Sequence, residues 1–119
     1  MYNKEFGKNL EERTKKFAIQ ILKLSSRMIS TTENKTIKYQ ITKSGSGIGT
    51  NYREANRARS KADFKNKIKI CESGASETVY WLEIILELKL VNDEKIQPVL
   101  KEANELLAIF SSIGKKFKL

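Results

Sequence analysis

Apolar residues recur along this 119-residue chain at alternating steps of four and three, the spacing of one buried helix face. Three stretches show the pattern plainly and predict helices over residues 9–30, 60–90 and 93–113. In the first, the buried positions are Leu10, Thr14, Phe17, Ile21, Leu24 and Met28, widened by Ala18, Leu22 and Ile29. In the second they are Phe64, Ile68, Cys71, Ala75, Thr78, Leu82 and Ile85. In the last they are Ile96, Leu100, Ala103, Leu107 and Phe110.

The breaks between these stretches are rich in residues that cap helices better than they extend them. The candidate caps are Thr32 or Asn34 for a second helix, Ser60 for the third, and Asn92 or Asp93 for the fourth. Asp63 follows Ser60 by three residues, which resembles a capping box with Asp in place of Glu. The single proline, Pro98, falls in the predicted first turn of the fourth helix, where proline is tolerated.

The intervening segment, residues 34–57, has two interpretations. Ile37, Tyr39 and Ile41 alternate as in a strand, and the glycine string "SGSGIG" then stands where a nucleotide-binding loop would. However, Ile37, Ile41, Ser44, Ile48, Asn51, Ala55 and Ala58 keep the four-and-three spacing for about six turns. The longer pattern favours a helix.

The glycine string also lacks the residues that a phosphate loop requires. A Walker loop ends in Gly-Lys-Ser/Thr, whereas Thr50 and Asn51 follow Gly49, and the dinucleotide fingerprint needs a glycine at position 50. Gly45 and Gly49 instead lie four residues apart, on one helix face, where they would allow another backbone to approach closely. The sequence therefore predicts an all-α, antiparallel up-down four-helix bundle in one domain, residues 1–119, with a basic tail over 114–119.

The third predicted helix is apolar on more faces than one small bundle can cover. Trp81, Leu82, Leu86 and Leu88 cannot all point into a single core. This excess predicts self-association.

Composition excludes several kinds of chemistry. Histidine is absent from the sequence, so Ser-His-Asp triads, Cys-His dyads and ordinary zinc sites are excluded. We predict no enzymatic activity, no cofactor and no metal. Cys71 falls on the apolar pattern as a small buried residue. Because the chain has one cysteine, no apolar run long enough to span a bilayer and no apolar N-terminal segment, we expect a cytoplasmic protein without a membrane partner.

Charge is distributed unevenly along the chain. The formal net charge is +9, and residues 35–69 carry ten basic and two acidic side chains, whereas residues 70–119 are net acidic. A basic segment of this kind favours a polyanionic partner, although a solvated face of a lysine-rich protein is the alternative. The predicted nucleic-acid contacts are Arg53, Arg57, Arg59, Lys61 and Lys65. A turn near Arg59 should divide these cations into two groups around one corner.

The motifs of the central segment resemble those of the four-helix-bundle proteins encoded in intervening sequences of bacterial 23S rRNA genes. The matching positions are Ile48, Asn51, Glu54, Ser60, Asp63, Phe64, Ser73, Ala75, Glu77, Thr78, Trp81 and Leu82. Gly47 departs from the pattern, where serine is commoner. The resemblance implies an up-down bundle that forms a ring, commonly of five subunits, without enzymatic activity. Relatives of the family include accessory proteins of diversity-generating retroelements, which work with nucleic acid and a reverse transcriptase.

Two functions remain open at this stage. One is a non-catalytic, oligomeric protein that binds RNA or DNA without reading its sequence. The other is a structural or protein-interaction ring with an acidic protein partner. Asn51, Glu54 and Glu77 are interpreted as a structural polar network that fixes register and partner choice, rather than as a catalytic or metal site.

Overall fold

The computed structural model describes residues 4–116, which form four helices and contain no strand. The helices are α1 (Lys4–Ser26), α2 (Thr32–Ala55), α3 (Lys61–Glu87) and α4 (Asp93–Lys116). The all-α prediction is confirmed, and the glycine string lies inside α2. None of the described helices is long and apolar enough to cross a membrane.

The helix ends differ from the predicted bounds mainly in α1 and α4. α1 begins at Lys4 rather than residue 9, and α4 continues to Lys116, through the first half of the predicted basic tail. Residues 117–119 of that tail, and residues 1–3 of the predicted domain, lie outside the described residues. Phe6 lies four residues before Leu10 and packs half-buried against the core, so the apolar spacing did extend into this part of α1 and was missed among its polar neighbours.

The helices form an antiparallel bundle with extents of 44 × 23 × 19 Å. Each described helix packs against the next one in the chain, and α4 returns to pack less extensively on α1. Arg13 joins this last pair, since its guanidinium donates hydrogen bonds of 2.7 Å to both carboxylate oxygens of Glu102 and one of 2.8 Å to Glu105. The hydrogen bond to Glu102 raises the pKa of Arg13, which keeps the side chain charged.

The predicted buried positions are reproduced best in α1 and α3. All six positions of the α1 pattern are buried, as are the six positions from Ile68 to Ile85 in α3. Leu22 and Ile29, which were predicted to widen the α1 face, are instead exposed by 48% and 77%. They lie to one side of the buried face, and Ile29 follows the end of the helix.

The α4 prediction was wrong in its register. Leu100 and Leu107 are half-buried, and Val99 and Leu106 occupy the core in their place. The pattern alone could not decide, because both sets of residues follow the four-and-three spacing from Ile96.

Tyr52 was also missed as a core residue. It is 2% exposed, and its ring meets that of Phe110 edge-on with centroids 5.5 Å apart.

The helix caps agree with two of the three predictions. Ser60 accepts a hydrogen bond of 3.0 Å from the backbone N–H of Asp63, and the Asn92 side chain accepts one of 3.1 Å from Lys95. For α2 the cap is Thr31 rather than Thr32 or Asn34. Pro98 is the sixth residue of α4, beyond the first turn, so its ring removes the backbone hydrogen bond that would reach the carbonyl of Glu94.

Glycines set the spacing of α1, α2 and α3. A Cβ atom placed on Gly45 would lie 2.8 Å from Cγ1 of Ile21, and one on Gly49 would lie 3.2 Å from Oγ1 of Thr14 and 3.5 Å from its carbonyl carbon. In α3, a Cβ atom on Gly74 would lie 3.3 Å from Cγ1 of Ile48. Glycine allows these helices to approach closely, as the sequence predicted for Gly45 and Gly49, and at Gly45 a Cβ atom would clash with Ile21.

A matched pair of substitutions tests this explanation. Gly45→Ala should lower the free energy of unfolding by about 1–3 kcal/mol, because the fully buried, β-branched Ile21 has no room to yield. At Gly47 an added Cβ would make only an ordinary contact, 3.9 Å from the Asn51 side chain, so Gly47→Ala should stabilise the protein by up to ~1 kcal/mol through helix propensity. Urea unfolding followed by circular dichroism measures both. A Gly45→Ala variant at least as stable as the parent would contradict the explanation.

Candidate nucleic-acid interface

The corner between α2 and α3 is held in place by capping and by a contact to α1. The backbone N–H of Asn56 bonds to the carbonyls of Tyr52 and Glu54, which ends α2, and Ser60 caps α3. The Asn56 side-chain amide donates a hydrogen bond of 2.8 Å to Glu11 in α1. The turn is therefore capped at both ends and tied to α1 through Asn56 at its start.

The five predicted cations lie on the two sides of this corner, as expected from the predicted turn. Arg53 is in the last turn of α2, Arg57 and Arg59 are in the connecting turn, and Lys61 and Lys65 are in the first two turns of α3. We call these five residues the basic corner. All are exposed except Lys65, which is half-buried.

Most of the basic corner has no carboxylate partner. Arg53 lies 3.8 Å from Glu11, which is a weak, exposed ion pair. Within residues 4–116, the other four cations form no ion pair. Unpaired, solvent-facing guanidinium and ammonium groups are available to phosphate groups.

Lys67 is close in sequence but is already engaged. Its ammonium lies 2.8 Å from the Glu54 carboxylate, and this hydrogen bond raises the pKa of Lys67. The side chain therefore adds less to the basic surface than the sequence suggested.

The basic surface continues onto α4, which sequence reasoning did not place. An open groove of about 280 Å³ is lined by Lys65, Lys69, Glu72, Ser111, Gly114 and Lys115. The only sequence signal was the basic tail, and its helical continuation is what brings Lys115 beside the start of α3. The glutamate makes this groove less cationic than the basic corner.

The three residues of the predicted polar network do not contact one another within the chain. The Asn51 amide donates to the Gly47 carbonyl in its own helix at 2.9 Å, and Glu54 pairs with Lys67. Glu77 accepts a long hydrogen bond of 3.4 Å from the Trp81 indole N–H. A network that joins several chains stays a prediction.

The buried polar contact between α2 and α3 involves other residues. The Thr78 hydroxyl donates to the Gly74 carbonyl at 2.7 Å and lies 2.9 Å from the Ser44 hydroxyl. Both side chains are buried, so this pair fixes the register of the two helices.

Cys71 lies in the core, as predicted. It is fully buried, its thiol approaches the Ile48 carbonyl at 3.6 Å, and burial raises its pKa to about 12. A thiol in this setting is protonated and inaccessible. Among the described residues, no group of three His, Cys, Asp or Glu side chains is arranged to hold a metal ion.

Comparisons with known proteins agree with this architecture. A family model described as 23S rRNA-intervening sequence protein matches residues 9–112. A crystal structure from Bacteroides thetaiotaomicron, described as a protein with unknown function from the S23 ribosomal protein family, is 32% identical with a TM-score of 0.81. The match covers 88% of this chain and 97% of that one. No functionally curated protein matches the sequence.

The burial of Cys71 leads to a direct chemical test. Iodoacetamide at about pH 8 should alkylate the folded protein at least about a thousandfold more slowly than the denatured chain, because the raised pKa leaves almost no thiolate. Mass spectrometry of timed samples measures both rates. Similar rates in the folded and denatured protein would show that the thiol is accessible.

Proposed function

The chain belongs to the 23S rRNA-intervening sequence protein family, and from that membership and the charge of its basic corner we propose that it is a non-catalytic protein that self-associates and binds nucleic acid. The proposed contacts are to phosphate groups and do not read base sequence. The protein is therefore expected to bind both RNA and DNA.

The observation that carries the proposal is the unpaired state of Arg57, Arg59 and Lys61. These three cations are exposed at the α2–α3 corner, and none of them forms an ion pair with a carboxylate within residues 4–116. Surface cations held in ion pairs would lose attraction for a polyanion, whereas these three are not neutralised in that way.

The absence of catalysis is supported by the side chains that are present. Histidine does not occur in the sequence, and the single thiol, Cys71, is buried with a raised pKa. Neither a general base of the usual kind nor an activated sulfur nucleophile is therefore supplied by this chain.

Self-association would strengthen weak phosphate contacts. In a ring each copy repeats the basic corner, so several modest contacts act together on one long polyanion. A ring of five subunits is the form that the family resemblance predicts, and a cytoplasmic location is the expectation from the single cysteine and the lack of an apolar run long enough to span a bilayer. Both belong to the proposal.

Salt-dependent binding by a charge variant tests the proposal. The triple variant Arg57→Gln, Lys61→Gln, Lys65→Gln should bind a labelled single-stranded RNA and a duplex DNA more weakly than the parent. The slope of log affinity against log salt should fall by about 2–3, because each lost phosphate contact contributes about 0.7–0.9. Fluorescence anisotropy across a salt series provides both numbers.

A second triple variant, Lys16→Gln, Lys95→Gln, Lys101→Gln, removes the same charge from exposed positions away from the basic corner and should keep most of the slope. If the two variants lose slope equally, the attraction comes from net charge and not from the corner. If the parent does not bind either polymer at low salt, nucleic-acid binding fails. A protein that then copurifies after nuclease treatment would support the interaction ring instead.

A further inference from the structure

Two sides of the bundle expose aromatic or aliphatic residues beside charges of opposite sign. On one side, Leu22 and Tyr39 are exposed by 48% and 63%, and on another, Tyr80 is exposed by 56%. Residues 15–43 carry seven basic side chains and one acidic one, whereas residues 70–88 carry four acidic side chains and no basic one. Exposed apolar residues framed by one sign of charge are typical of a protein interface.

The first side is the outer face of α1 and α2. A groove between these helices is lined by Ala18 and Ser46, among others. Leu22 follows Ala18 by one turn, and Tyr39 and Lys35 precede Ser46 by two and three turns. Leu22, Lys35 and Tyr39 therefore lie on the same outer face, which we call the basic face.

The second side is the outer face of α3 and α4. A groove here is lined by Ser76, Tyr80 and Leu107, among others, and its charged lining consists of two glutamates and one lysine. Glu83 and Glu87 follow Ser76 by two and three turns of α3. Tyr80, Glu83 and Glu87 form what we call the acidic face.

These two faces lie on opposite sides of the bundle. Each described helix contacts only its two neighbours in the cycle α1, α2, α3, α4, so the α1–α2 side is across from the α3–α4 side. One copy therefore offers both faces at once to two different neighbours.

The two faces also match in height along the bundle. Ser44 in α2 and Thr78 in α3 touch across the core, and the adjacent Gly45 touches Ile21 in α1, so these residues define a common level. Because α2 and α3 are antiparallel, Lys35 and Glu87 lie equally far from that level, in the same direction.

The remaining interface residues fall on matching levels too. Tyr39 and Glu83 lie five residues from Ser44 and Thr78 respectively, and Leu22 and Tyr80 lie close to the common level itself. When two copies stand side by side at the same height, Lys35 of one copy is level with Glu87 of the next, and Tyr39 is level with Glu83. Leu22 and Tyr80 are then also at similar heights.

We propose that the basic face of one copy docks on the acidic face of the next copy. The contact is heterologous, so repeating it without an axial shift gives a flat assembly rather than a helical filament, and this assembly closes into a ring when each copy is also turned about the bundle axis relative to the one before. Pairing two basic faces would oppose like charges, so a symmetric dimer through this face is disfavoured. This inference rests on the self-association part of the proposed function.

The dimensions and the other surfaces fit this arrangement. The extents of 44 × 23 × 19 Å give each long side of the bundle an area of about 800–1,000 Å², comparable with the ~800 Å² that each partner contributes to a standard interface. The basic corner lies at the opposite end of the bundle from Lys35, and the ring would present every copy of it on the same rim.

A mixing experiment tests the docking directly. A basic-face variant, Leu22→Glu with Lys35→Glu, and an acidic-face variant, Tyr80→Lys with Glu87→Lys, each block one face and leave the other intact. Each alone should self-associate about a hundredfold or more weakly than the parent, because like charges then face each other. Equal amounts mixed should form a one-to-one dimer through the two intact faces. Light scattering after size exclusion measures the masses.

The matched control is Lys16→Glu with Gln20→Glu, which changes the charge as much as the basic-face variant but on the side of α1 toward Arg13 and α4. It should assemble like the parent. Circular dichroism checks that every variant is folded. Either face variant that assembles like the parent overturns the docking, as does a mixture that stays monomeric.

A charge exchange provides a second test with smaller changes. Lys35→Glu and Glu87→Lys should each weaken assembly, and the two combined in one chain should restore it, because each interface then regains an opposite pair. Failure to restore assembly overturns the docking. If the parent protein is monomeric, the self-association part of the proposed function is wrong. Nucleic-acid binding is tested independently by its salt dependence.

Discussion

The close approach of α2 to its two neighbours is the constraint on which the bundle depends. Gly45 and Gly49 admit Ile21 and Thr14 of α1 on one side, and Gly74 of α3 admits Ile48 on the other. Each glycine in a helix interior lowers helix stability by about 1 kcal/mol relative to alanine, so these three positions destabilise their own helices. The loss is offset by dispersion contacts and by burial of Ile21 and Ile48, which are almost completely removed from solvent.

The tight packing of α2 leaves no room for long charged side chains where it contacts α1 and α3. The lysines and arginines of α2 therefore lie on its outer surface and at its C-terminal end. The turn after α2 is bounded by Asn56 and Ser60, which satisfy backbone groups at the ends of α2 and α3. Arg57 and Arg59 lie in this turn and face the solvent.

Much of the fold could be predicted from the spacing of apolar residues. The spacing does not show which of two adjacent apolar residues is buried, or which surface charges form ion pairs. The α1 and α3 cores were predicted by the four-and-three spacing, and the positions that it named from Leu10 to Met28 and from Ile68 to Ile85 are buried. In α4, Val99 and Leu100 are both apolar, as are Leu106 and Leu107, and only packing against α3 and α1 selects between them. The basic corner was visible as a charge excess, whereas the engagement of Lys67 by Glu54 and the placement of Lys115 depend on tertiary structure.

Pro98 weakens the first part of α4 relative to the rest of that helix. The turn that precedes it, from Asp93 to Gln97, is joined to the rest of α4 by one backbone hydrogen bond fewer than an uninterrupted helix would have. Amide protons of this turn are therefore expected to exchange with solvent more readily than those near Ala103 and Phe110, which lie in the uninterrupted part of the helix. The weakened turn lies at the end of the bundle opposite the corner that carries the exposed arginines.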